Sequence, residues 1–152
     1  MPVSPYIKRL REVVGSALIL VPAVSTLVQD DEGRVLLVYE TSVDAWSTPG
    51  GSIEVDEVPQ DAARREVFEE TALTVRLDGI VNVFGGPEFH THYKNGDEVA
   101  YVTTVYRGTV VSGVAEPDGV EVSAAQWFAI SELASLPLGT FATLLFRFLE
   151  WL

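Results

Sequence analysis

The sequence predicts a single α/β domain spanning residues 1–152, in which helices cover both faces of a mixed β-sheet. Three observations predict it. Helical and strand patterns alternate irregularly along the chain. Two pairs of strand patterns are joined by turn sequences, Asp30-Asp31-Glu32-Gly33 and Lys94-Asn95-Gly96-Asp97, and Asn-Gly is a strong short hairpin signal. A chain of 152 residues that is 47% hydrophobic is also long and apolar enough for one sizeable core.

In chain order, Pro5 to Val14 reads as a short helix ended by Gly15. Ser16 to Gln29 and Arg34 to Glu40 are apolar and β-branched, which predicts two strands paired as a hairpin. Thr41 to Trp46 reads as a loop. Trp46-Ser47-Thr48-Pro49-Gly50-Gly51 leads to a helix that starts at Pro59, since proline suits a first helical position. Val58 is then a poor N-cap. The helix ends near Ala72, where a left-handed alanine would carry a Cβ clash that glycine avoids. Thr74 to Phe84 is the next strand. Glu88 to Tyr93 and Glu98 to Tyr106 flank the second turn, and Val110 to Gly119 reads as a loop. Glu121 to Phe128 is the last strand, Ile130 to Leu136 a short helix capped by Ser131, and Thr140 to Leu152 the final helix. Its polar residues Thr140, Thr143, Arg147 and Glu150 form one narrow stripe, so its broad apolar surface reads either as core or as a homodimer interface.

Composition removes several function classes. Without cysteine there are no disulfides, zinc-thiolate sites or thiol nucleophiles. The net charge of −12 disfavours a long nucleic-acid partner, which needs a basic surface. The apolar run Ala17 to Val28 is too short to span a bilayer, and the N-terminus has no signal pattern, so a cytoplasmic protein without a membrane partner is expected.

The stretch Gly50 to Leu73 carries the chemistry. Glu66, Glu69 and Glu70 are i, i+3 and i+4 neighbours on one helical face, and like charges so placed destabilise a bare helix. A divalent cation would neutralise them, and oxygen-only ligands suit Mg²⁺, Mn²⁺ or Ca²⁺. They share their face with Ala62, Ala63 and Leu73, while Arg64, Arg65 and Phe68 fall on the opposite side.

Gly51, Glu57, Arg65, Glu66, Val67, Glu69, Glu70 and Leu73 also fall in register with the signature of the Nudix (MutT-like) hydrolases. The sequence thus resembles that family, departing only at Ala72, where the family has glycine. The resemblance implies a three-layer α/β/α sandwich and hydrolysis of the phosphoanhydride in a small nucleoside diphosphate derivative. Nucleoside triphosphates, nucleotide sugars, ADP-ribose and dinucleoside polyphosphates are all open as substrates. It implies Mg²⁺ or Mn²⁺ held by Glu66, Glu69 and Glu70, with Glu57 and the backbone at Gly50 as further contacts, and Arg65 orienting a box glutamate. The general base is Glu66, Glu69 or a residue on a later loop, of which Glu121 fits better than Glu116 or Asp118. Phe84, Phe89, His90, His92, Tyr93 and Tyr101 are candidates for substrate contact, the first and last equally readable as core. Arg34, Arg76, Lys94 and Arg107 are the basic residues expected near the cleft. The alternative is a catalytically silent nucleotide-binding sensor of the same fold.

Overall fold

The computed structural model describes residues 3–152. Three helices, α1 (Pro5–Val14), α2 (Pro59–Thr71) and α3 (Thr140–Phe148), pack on eight strands. These are β1 (Ile19–Val28), β2 (Val35–Glu40), β3 (Ala45–Ser47), β4 (Gly50–Ser52), β5 (Thr74–Phe84), β6 (His90–His92), β7 (Glu98–Ser112) and β8 (Val122–Phe128). Two 3-10 turns, Pro87–Phe89 and Ile130–Ser135, complete the list.

The strands form a mixed five-stranded sheet in the order β4-β1-β7-β5, with β6 also on β7, and an antiparallel sheet in the order β3-β2-β8. β1 and β7 run parallel; the other pairs are antiparallel. Alternation along the strands sends residues to two cores shared by both sheets. Leu27, Val35, Leu37 and Val105 meet Ala142, Leu145 and Phe146 of α3. Val28, Leu36 and Val75 meet Val67 of α2, and Val24 and Tyr106 meet Ala62 and Ala63. Helices therefore cover both faces, giving the α/β/α sandwich.

The expected hairpin of the first two strands does not form. Its turn does, with Asp30 Oδ1 accepting from the Glu32 and Arg34 amides, but pairing stops at one bridge between Gln29 and Val35. β1 instead has β7 on one edge and β4 on the other, and β2 has β3 and β8. Both edges of each strand are thus taken, and the sheet divides. The second hairpin forms, closed by Tyr93 N–H to Asp97 O at 2.9 Å, but its first arm is a 3-10 turn followed by the short β6.

Smaller differences have local causes. Ala45–Ser47 is a strand rather than a loop, held by Trp46 N–H donating to Pro137 O at 2.8 Å. β7 runs on to Ser112 because β5 pairs with it that far. The cap of the second 3-10 turn is Ala129, not Ser131: Ala129 N–H donates to Glu132 Oε2 at 2.7 Å. α3 stops at Phe148, and Glu150 turns to positive φ so that Trp151 N–H reaches Phe146 O and its ring stacks on Phe146. Ala142, Leu145 and Phe146 are buried, as the core reading of α3 requires. Of the face invoked for a dimer, Phe148 and Leu152 remain exposed.

Candidate active site

α2 is framed as its sequence requires. Val58 is the N-cap and makes no side-chain bond, Pro59 opens the helix, and Ala72 closes it in the left-handed region at φ 59°. The frame turns Glu66 and Glu70 inward, at 1% and 5% exposure, and leaves Phe68 in solvent. Glu69 is half exposed, so the three glutamates share an arc but not an environment.

Arg65 is not on the far side with Arg64. It reaches back across the loop and donates from Nε to Glu57 Oε1 (2.7 Å) and from Nη2 to Glu57 Oε2 (3.0 Å). It also donates from Nη1 to Glu66 Oε1 (2.8 Å) and Glu69 Oε2 (3.2 Å), and from Nη2 to Ser52 O (3.2 Å). Asp61, four residues before Arg65, bonds Arg64. One guanidinium thus ties the loop, β4 and two box glutamates together. Its bonds hold the Glu57 carboxyl below the usual range.

Glu70 lies outside that network. Its Oε2 accepts from Gly50 N–H at 3.2 Å, and burial, then Glu66 and Glu40, push its carboxyl well above the ordinary 4.5. Burial likewise raises Glu66, with Arg65 pulling the other way. Two buried carboxylates with too little positive charge between them make an oxygen-only donor set that a divalent cation would neutralise, so these residues fit such an ion. Among the described residues, no three Asp, Glu or His side chains already stand close enough to hold a metal, because Arg65 holds Glu57, Glu66 and Glu69 while Glu70 turns to Gly50.

Glu70 and Gly50 open onto a cleft of about 650 Å³ between the sheets and α1. Gly50 is required there: a Cβ would meet the Val24 carbonyl and stand 2.9 Å from Ser25 Cα. Glu121 lines the same cleft. Asp118 does not; its Oδ1 accepts from the Val120, Glu121 and Val122 amides and shapes the loop before β8. Glu116 is an exposed residue tied through its amide to Thr71 O. His90, Phe89, Tyr93 and Tyr101 line the cleft, whereas Phe84 is core and His92 is exposed beside Glu98. Tyr101, readable as core, bonds Tyr93 hydroxyl to hydroxyl at 2.6 Å in the cleft.

The basic residues expected nearby lie elsewhere. Arg34 pairs with Asp30, Arg76 with Asp78, and Arg107 bonds Gln29; none of these lines the cleft, nor does Lys94. Arg11 of α1 does. Sequence reading also missed Glu40, which ends β2 in the cleft wall beside Ser47, its carboxyl raised by burial. The signal for it was a lone carboxylate at the end of the wholly buried run Val35 to Val38.

A fold of this kind with an acidic helix beside a glycine strand defines a class, and comparison with known proteins agrees. The NUDIX domain family model matches residues 19–152. The chain belongs to the Nudix family and is a Nudix hydrolase. It is 30% identical over 129 residues to a MutT-like protein of Streptomyces ambofaciens, covering 85% of this chain and 76% of that one. It is 27% identical over 107 residues to a putative 8-oxo-dGTP diphosphatase of Bacillus subtilis (strain 168), covering 70% of this chain and 65% of that one. The fold matches the MutT NUDIX hydrolase of Burkholderia pseudomallei (TM-score 0.70, 24% identity, 83% of this chain and 95% of that one). It also matches the NUDIX domain of Shewanella oneidensis NrtR, solved with ADP ribose (TM-score 0.64, 20% identity, 97% and 96%). No helix among the described residues is long and apolar enough to cross a membrane.

Proposed function

We propose that the chain is a Mg²⁺- or Mn²⁺-dependent pyrophosphohydrolase that cleaves the phosphoanhydride of a small nucleoside diphosphate derivative. The buried carboxyl of Glu70 in the lining of a nucleotide-sized cleft, with buried Glu66 one turn earlier on α2, carries this reading. A diphosphate is shielded by its own charge, and a bound divalent cation supplies counter-charge, polarises a phosphoryl oxygen and makes water more acidic.

Within the chain, Glu66, Glu69 and Glu70 would hold the cation, with Glu57 and the Gly50 backbone as further contacts. Arg65 keeps Glu57, Glu66 and Glu69 oriented between turnovers. Glu66 or Glu69 takes the proton of the attacking water, or Glu121, which lines the cleft, does so. A relative named as a putative 8-oxo-dGTP diphosphatase and structural neighbours named as a UDP-X diphosphatase and an ADP-ribose pyrophosphatase support nucleoside triphosphates, nucleotide sugars and ADP-ribose as a panel to assay, with dinucleoside polyphosphates added.

Glu70→Gln and Glu69→Gln are each expected to lower turnover at least about 100-fold while the fold survives. Product release from that panel with Mg²⁺, followed by chromatography, checks it. Wild-type rates in both variants would sink the assignment. A wild-type protein that binds nucleotides yet releases no product with either metal would point to the silent sensor instead.

A further inference from the structure

The cleft continues beyond the box, and its far wall differs in chemistry from the phosphate end. Glu40 stands at the end of β2 and lines the cleft together with Ser47 of β3. Glu70 and the hydrogen-bonded Tyr93 and Tyr101 hydroxyls line the same cleft. The hydroxyl pair is half-buried, and α1 rests against it: Ile7 and Leu10 pack with Tyr93, Tyr101, Val21 and Val99. α1 precedes the residues matched by the family model, whereas Glu40, Tyr93 and Tyr101 lie within them.

The charge of the wall decides what it accepts. Five carboxylates line the cleft, Glu40, Glu70, Glu88, Asp97 and Glu121, against the single guanidinium of Arg11. That guanidinium donates to Gly15 O, Ala17 O and Glu98 O, and its Nε, 3.6 Å from Asp97, is buried without a hydrogen-bond partner. Among the described lining residues the only other basic side chain is His90, so carboxylates outnumber basic groups along this wall. A carboxylate that lines a cleft with two hydroxyls offers hydrogen-bond acceptors there, and a buried acceptor left unmatched is costly.

We propose that Glu40, supported by the Tyr93–Tyr101 pair under α1, is a specificity-determining residue that binds the uncharged, hydrogen-bond-donating half of the substrate. The chemical class is a sugar diol or a base N–H group, held away from the diphosphate. This deepens the hydrolase reading and rests on it for the orientation of the substrate.

The test compares wild type, Glu40→Gln and Tyr101→Phe on UDP-glucose, ADP-ribose and ATP with Mg²⁺, recording kcat and KM separately. Titration calorimetry of ADP-ribose and ATP into Glu69→Gln and Glu69→Gln/Glu40→Gln proteins measures binding without turnover. Glu40→Gln is expected to raise KM and Kd about tenfold, with kcat within about twofold, and Tyr101→Phe about threefold, as loss of a charged and a neutral hydrogen bond would. A rise for UDP-glucose and ADP-ribose but not ATP assigns the wall to the sugar beyond the diphosphate. A rise for all three assigns it to the nucleoside. Either result upholds the proposal. Unchanged or tighter binding overturns it, as does a fall in kcat with KM intact, which would put Glu40 at the reacting centre. If wild type hydrolyses none of the probes, the hydrolase reading falls and calorimetry still decides: weaker binding on losing Glu40 upholds the wall, and equal or absent binding overturns it. Should Glu40→Gln melt early, Tyr101→Phe is judged by the same criteria.

Discussion

Ala72 is the one position where the box departs from the family pattern, and its backbone shows the cost. It caps α2 at φ 59°, ψ 12°, with its N–H on Phe68 O, so it occupies the left-handed region in which a Cβ crowds the following carbonyl. The residue is exposed, so its methyl gains little from burial. Ala72→Gly is therefore expected to stabilise by about 1 kcal/mol, or about 2–4 °C in melting temperature, less whatever the extra freedom of glycine costs in the unfolded chain. Differential scanning calorimetry checks it, and an unchanged or lower midpoint would show that the strain is absorbed elsewhere. Arg65 shows the opposite economy. Its fork meets both oxygens of Glu57 in a geometry that a lysine cannot copy.

At the level of elements, the site depends on how closely β4 approaches β1. Gly50 pairs with Ser25 in that ladder, and any Cβ there would collide with the backbone of β1 rather than with a movable side chain. Gly50→Ala is expected to cost about 2–4 kcal/mol and to move the Gly50 amide off Glu70, so activity falls even in the folded fraction. Urea denaturation with parallel rate measurements would show it, and wild-type stability would mean that β4 slides freely. Elements like α2 were legible because their signals are local: a proline start, a bare valine cap, a left-handed stop and a 3.6-residue pattern all lie within the segment. The first hairpin was misread because its turn is local but its partners are not. β7 lies some seventy residues on from β1, and nothing in Ser16 to Glu40 names it. Glu40 and Arg11 were missed for the same reason. One looks like the polar end of a strand and the other like a member of a solvated Lys8-Arg9-Arg11 run, until the fold brings both to one cleft.

Across the whole molecule, acidity and site are linked through protons. The chain carries 22 acidic against 10 basic residues, and burial raises the carboxyls of Glu40, Glu66 and Glu70 above 4.5. Each such group prefers its proton in the folded state more than in the unfolded one. Its contribution to stability is thus full below about pH 4.5 and is lost as pH rises through the higher folded value. Glu57, lowered by Arg65, works the other way: its contribution is present above 4.5 and disappears only as pH falls through its folded value beneath that. Above 4.5 the three raised groups dominate, so in EDTA the melting temperature should fall as pH rises through their folded values. A divalent cation competes with protons for the same carboxylates. Mg²⁺ at about a hundred times its Kd should restore about 2.7 kcal/mol, or about 5–10 °C, at pH 8 and much less at pH 5. Thermal melts across that range, with Mg²⁺ and with EDTA, measure both trends together. A flat profile in EDTA would mean that the buried glutamates are balanced by other groups. An Mg²⁺ shift of equal size at both pH values would place the cation away from Glu66 and Glu70.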